Sequence, residues 1–98
     1  MPVSVVVQMQ AKAGQGDRMF EVLKEVMPDS AAAEGAIGFE ALRDRDDPDK
    51  IIVIGRWRDR DDHTAYMAWR EETGIGHSEL APLIETLAIS YSDTVGEW

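Results

Sequence analysis

The sequence predicts a small α+β domain in the order βαββαβ, with a four-stranded antiparallel sheet and both main helices on one of its faces. Three observations carry that prediction. Residues 3–12 alternate with a period of two, residues 17–27 repeat their apolar side chains at helical spacing, and residues 51–54 are an unbroken β-branched apolar run between a turn and an acidic helix start. A chain of 98 residues is long enough for one such domain, residues 1–98, with a single modest core. It contains no repeat or low-complexity segment that would divide it.

Taking the elements in order, Val3, Val5, Val7, Met9 and Ala11 form one fully apolar face of the first strand, while Ser4, Val6, Gln8, Gln10 and Lys12 form a mixed one. Gly14, Gln15 and Gly16 break it, and Asp17 stands at the helix start, where exposed amides favour an acid. Met19, Phe20, Val22, Leu23, Val26 and Met27 then fall on one side of a helix opposite Arg18, Glu21, Lys24 and Glu25. Pro28 should kink or interrupt that helix, although residues 31–34 can extend it as far as Gly35. Residues 37–45 give a second strand, with Ile37, Phe39 and Ala41 on one face, and residues 44–49 close a hairpin onto the third.

Ile51, Ile52, Val53 and Ile54 are apolar on both faces of that third strand, which implies cover on both. Asp59 is placed to cap a second helix over residues 59–72, with Asp62 in its first turn. The inward face of that helix has two readings: Ala65, Tyr66 and Trp69, or His63, Tyr66, Met67 and Arg70. Residues 73–76 read as a flexible connection, after which His77 or Ser78 caps a short helix through Leu83 and residues 87–92 form the fourth strand. Trp98, in the tail, needs something to pack against.

This order is the ferredoxin-like split arrangement, which leaves the second sheet face bare. Because the third strand is apolar there too, a second copy is the simplest cover, and two sheets packed face to face form a dimeric α/β barrel. The formal charge of −9 argues against nucleic acid or an anionic membrane as partner. The absence of cysteine removes disulfides, thiolate nucleophiles and Cys-ligated metals from consideration. With no signal-like N-terminus and no apolar run of about 18 residues, the expectation is a soluble cytoplasmic homodimer.

The residues 11–14 stretch Ala-Lys-Ala-Gly, the Met27-Pro28 break, Glu34-Gly35-Ala36 before the second strand, residues 43–48 in the hairpin, Arg56-Trp57 and His77 together resemble the antibiotic biosynthesis monooxygenase (ABM) family over nearly the whole chain. The resemblance implies a dimer that oxygenates an electron-rich aromatic (a quinol, an anthrone or a polyketide-type ring) to a quinone with molecular oxygen, using no metal or flavin. It also implies site roles: Tyr66 orients the substrate oxygen, His77 accepts or relays its proton, and Arg56 steadies the anion. Trp57, Trp69, Met9 and Phe39 would contact the substrate.

Each of these residues has a plainer role beside it. Trp57 ends a buried strand and has ample packing reason to be there, Tyr66 can simply cover the sheet, and His77 can be a solvated cap. Arg43, Arg45, Arg56 and Arg58 answer surplus acids, and the acids around His63 serve the helix dipole rather than a metal. Two departures stand out: Tyr66 occupies a position where many relatives carry histidine, and His63 one where they carry an apolar residue. A noncatalytic dimer that binds a small apolar ligand is the alternative function. Haem degradation ranks third, since that branch has an asparagine in strand one where this chain has Val7 and Gln8, and His77 only approximates its iron ligand.

Overall fold

In a computed structural model of the chain, residues 2–74 and 77–98 are described, without the side chains of residues 77 and 78. The elements are β1 (Val3–Ala11), α1 (Gly16–Ala31), β2 (Ala36–Arg43), β3 (Lys50–Trp57), α2 (Arg60–Thr73), a short α3 (His77–Leu80) running into a 3₁₀ turn at Ala81–Leu83, and β4 (Ile84–Ser92). All strand pairs are antiparallel, in the order β2-β3-β1-β4, so this is the ferredoxin-like α+β fold that the sequence predicts.

Register decides which side chains share a face, because residues directly opposite one another point the same way. Val5 faces Gly55 and Tyr91, Val7 faces Val53 and Ile89, and Met9 faces Ile51 and Leu87, so these positions lie on the side that the helices cover. The helix side of β1 therefore buries Val3, Val5, Met9 and Ala11, with Ile51, Val53 and Trp57 beside them. α1 closes this core with Met19, Val22, Leu23 and Val26 at helical spacing. Phe20 and Met27, at the margins of the same stripe, are only half-buried.

Helix α1 passes through Pro28 instead of being interrupted there. The proline stands in the last turn, and Ala32 N–H still closes on the Pro28 carbonyl at 3.1 Å. The turn into β2 needs Gly35, whose φ is +85°. Strand ends also differ from expectation: β4 begins at Ile84 instead of residue 87, and both ends of β2 depart from the predicted pattern. β2 stops at Arg43 because the Asp44 carboxylate accepts from the amides of Asp46 and Asp47 (2.8 and 2.9 Å), bending the hairpin early. Ile37 is 57% exposed because a register shift between Ala36 and Gly38 takes it out of the alternation.

The hairpin also anchors the start of α1, whose preceding residue Gln15 makes no side-chain cap. The Asp49 carboxylate accepts from Gly14 N–H at 3.0 Å, just before the helix, and from Gly16 N–H at 2.8 Å, one of the amides that the helix start leaves open. Gly16 must be glycine, since a Cβ there would run into the Pro48 carbonyl and Asp49. At α2 the cap is local: Asp59 accepts from Asp62 N–H at 2.9 Å.

On the opposite sheet face, Val6 lies between Ile54 and Ser90, and Gln8 between Ile52 and Ala88. Leu42 stands opposite Ile52 there and is 45% exposed, while Val6, Ile52 and Ile54 remain half-buried. Trp98 is fully exposed. Among the described residues no helix is long and apolar enough to cross a membrane.

Candidate active site

Between the covered sheet face, α1, α2 and the α3 turn lies a cavity of about 360 Å³, within the range of small-molecule pockets. Apolar side chains make most of its wall, among them Val5, Met9, Leu23, Phe39, Val53 and Leu87. A connected set of rings forms one end. Trp57, 1% exposed, meets Phe39 edge-on at 5.7 Å between centroids, His63 at 5.3 Å and Tyr66 at 5.4 Å. Gly55 makes room for this arrangement, because a Cβ there would collide with the Phe39 ring.

Four polar side chains interrupt the apolar wall: Ser30, His63, Tyr66 and Arg70. The Ser30 and Tyr66 hydroxyls are 2.7 Å apart and both residues are buried. Each hydroxyl has a single proton, so when Ser30 donates to Tyr66 the Tyr66 O–H is left free for a ligand oxygen. His63 is 6% exposed, with Nδ1 at 2.8 Å from the Tyr91 hydroxyl on β4. The Tyr91 ring in turn lies under the Arg60 guanidinium at 4.0 Å. Burial first, and the Arg70 charge second, push the His63 imidazole below its ordinary value, so it is neutral at pH 7.

α2 therefore turns the face His63, Tyr66, Met67 and Arg70 inward, the second of the two alternatives its periodicity allows. Trp69 is 43% exposed; it leans on Tyr66 at 5.8 Å but lies outside the cavity wall. Arg56 also lies away from the cavity. It is exposed opposite Ser4 and Gly38 on the far sheet face, because β3 alternates and Gly55 and Trp57 take the cavity side. Met9, Phe39, Trp57 and Tyr66 do line the cavity. The side chain of His77, like residues 75–76 of the connection before it, falls outside the described residues.

The acids near His63 do not converge on it, since Asp59 caps α2 and Asp62 pairs with Arg58 at 2.8 Å. Sequence reasoning gave Ser30 and Tyr91 no site role, and placed His63 and Arg70 on one of two alternative inward faces of α2 without assigning them one. Ser30 does carry a signal, being a lone polar residue three and four positions beyond the apolar Met27 and Val26 of the α1 stripe.

Among curated proteins, none matches this chain at a significant level. Several solved structures share its fold. SnoaB, a cofactor-independent oxygenase from Streptomyces nogalater, superposes with a TM-score of 0.86 at 19% identity, over 98% of this chain and 95% of its own. A protein described as an antibiotic biosynthesis monooxygenase superposes at 0.82 with 17% identity, over 96% and 99% of the two chains. PA3566 from Pseudomonas aeruginosa superposes at 0.80 with 18% identity, over 97% and 95%. At such identities the likeness speaks for the fold alone. The sequence model described as "Antibiotic biosynthesis monooxygenase" matches residues 2–71, well over half of the chain, and the protein accordingly belongs to the antibiotic biosynthesis monooxygenase family.

Proposed function

We propose that the protein is a cofactor-independent monooxygenase that converts an electron-rich hydroxylated aromatic, such as an anthrone or hydroquinone, to a quinone with molecular oxygen. One observation carries the reading: an apolar, ring-walled cavity in which a hydroxyl pair and a neutral imidazole approach from α1 and α2. That combination suits deprotonation of a phenol away from bulk water. Family membership, and the oxygenase fold shared with SnoaB, support the choice of oxygen as co-substrate.

In this reading the substrate rings lie against Trp57, Phe39 and Met9, and the Tyr66 hydroxyl, oriented by Ser30, donates to the substrate oxygen. His63 takes the substrate proton at Nε2, with Nδ1–H donating to the Tyr91 hydroxyl and so fixing the tautomer. The electron-rich anion bonds oxygen at carbon, and the resulting peroxide loses water. Low basicity helps His63 return its proton at that step. For an anthrone the balance closes without a cofactor: the methylene carbon gives up two hydrogens and four electrons, gains one oxygen atom, and the second oxygen leaves as water.

The working unit in this reading is a symmetric homodimer, in which a second copy covers the face carrying Val6, Leu42, Ile52 and Ile54. The decisive experiment is oxygen uptake and quinone formation by metal-free protein on a panel of anthrones and hydroquinones, with Tyr66→Phe and His63→Gln alongside. Losing either group should lower turnover by about 10²-fold, the usual contribution of a positioned acid or base. Wild-type rates no faster than buffer across the panel would sink the oxygenase and leave a ligand-binding dimer. Turnover indifferent to both substitutions would remove these residues from the mechanism.

A further inference from the structure

Arg70 is hard to account for as a surface cation. It is half-buried, and among the described lining residues it alone carries a full charge. Lys24, Arg43 and Arg58 each meet a carboxylate within 4.0 Å, but Arg70 meets none among the described residues, in a chain with 19 acids against 10 bases. Exposed cations need no partner because water solvates them. A guanidinium beside an apolar cavity has lost part of that solvation, and its near neighbour is the Tyr66 ring, 5.9 Å from its centre. Its place in the last turn of α2 serves the helix dipole, yet any surface-directed cation in that turn would do the same. Facing inward is the feature that calls for a ligand.

We infer that the cavity takes an aromatic ligand bearing an anionic substituent, a ring carboxylate, which Arg70 pairs while the rings lie against Trp57 and Phe39. The chemistry fits on three counts. A planar guanidinium presents two parallel donors to a carboxylate, the remaining wall is apolar, and Ser30 and Tyr66 are left free to address a hydroxyl elsewhere on the ring. In an otherwise acidic protein this inward cation also places a positive charge on the cavity wall, where such an anion would meet it. The inference narrows the substrate class of the oxygenase reading and rests on that reading only for the chemistry, not for binding.

The test is binding without turnover. Naphthalene-2-carboxylate and its neutral near-isostere naphthalene-2-carboxamide are titrated calorimetrically against wild-type protein, Arg70→Gln, Arg70→Lys and, as a control on the far sheet face, Arg56→Gln. The expected result is about a tenfold preference for the carboxylate in wild type. The preference should fall to near unity in Arg70→Gln, fall only partway in Arg70→Lys, which keeps the charge but not the paired donors, and be unchanged in Arg56→Gln. Using the ratio of two ligands cancels any general loss of folded protein. Equal binding of the two probes by wild type, a preference that survives Arg70→Gln, or binding of neither probe at millimolar concentration would overturn the inference. Absence of oxygen uptake would sink the oxygenase instead and leave this ratio standing.

Discussion

Deleting either hydroxyl of the Ser30–Tyr66 pair should destabilise the protein, and deleting both should cost less than the two single losses added together. The oxygens are 2.7 Å apart, and Ser30 and Tyr66 are only 4% and 8% exposed. Ser30→Ala leaves the Tyr66 hydroxyl without its hydrogen-bond partner, a cost of about 1–3 kcal/mol. Because residue 30 lies inside α1, the better helix propensity of alanine returns roughly 0.5 kcal/mol. The net loss should be about 0.5–2.5 kcal/mol. Tyr66→Phe should cost about 1 kcal/mol, since the orphaned serine can turn back to its own helix carbonyl. The double variant strands neither group, giving a coupling of about 1 kcal/mol. On a domain of this size each kcal/mol moves Tm by roughly 4–8 °C, so thermal or urea unfolding at one fixed protein concentration resolves the cycle. A coupling below about 0.3 kcal/mol, the ordinary scatter of additivity, would refute the claim that these hydroxyls hold each other.

The lowered His63 value makes stability depend on pH in a definite sense. Between its folded value and the unfolded value of about 6.5, the unfolded chain binds the extra proton, so stability rises with pH up to about 6.5 and then levels. The difference between wild type and His63→Gln should show that slope, and a flat difference from pH 5 to 7 would count against a buried neutral imidazole. Tyr91→Phe should leave the cavity in place but release the imidazole tautomer, read as a change in the His63 ring ¹⁵N shifts and in the pH profile of turnover; unchanged shifts would show that Tyr91 sets nothing. Ile54→Lys, on the bare face beside Val6, should yield a monomer by light scattering, and an unaltered dimer would mean that this face is not the interface. Asp59→Ala should cost about 1 kcal/mol through loss of the α2 cap, measured by urea unfolding, and no change would mean the cap contributes nothing.

The fold was legible because its signals are local. Alternation in β1, the 51–54 run, Asp59 as a cap and the apolar stripe of α1 each specify an element within about ten residues. The site was less legible because it depends on phase. α2 has apolar and aromatic residues on two overlapping faces, and the packing of His63 and Tyr66 against Trp57 sets the phase that brings Arg70 to the cavity wall while Trp69 stays largely out. The place of Arg56 was hidden by the same kind of ambiguity: a strand that is apolar on both faces does not reveal which side of it holds a cavity. The Ser30–Tyr66 and His63–Tyr91 contacts join residues 36 and 28 positions apart, a distance that no sequence window spans.

The Asp49 carboxylate, which receives both Gly14 and Gly16, has a consequence for how the chain folds. A helix capped by its own neighbour can begin to form alone. Here the cap arrives from 33 and 35 residues downstream, in the turn that joins β2 to β3, so the first turn of α1 stays incomplete until those two strands have paired. The start of α1 and the hairpin should therefore open as one cooperative unit, and the Gly16 amide should exchange its hydrogen at the pace of the β2–β3 ladder rather than at the pace of a fraying helix end. In Asp49→Ala the two should come apart, with the Gly16 amide exchanging quickly while the ladder amides stay protected.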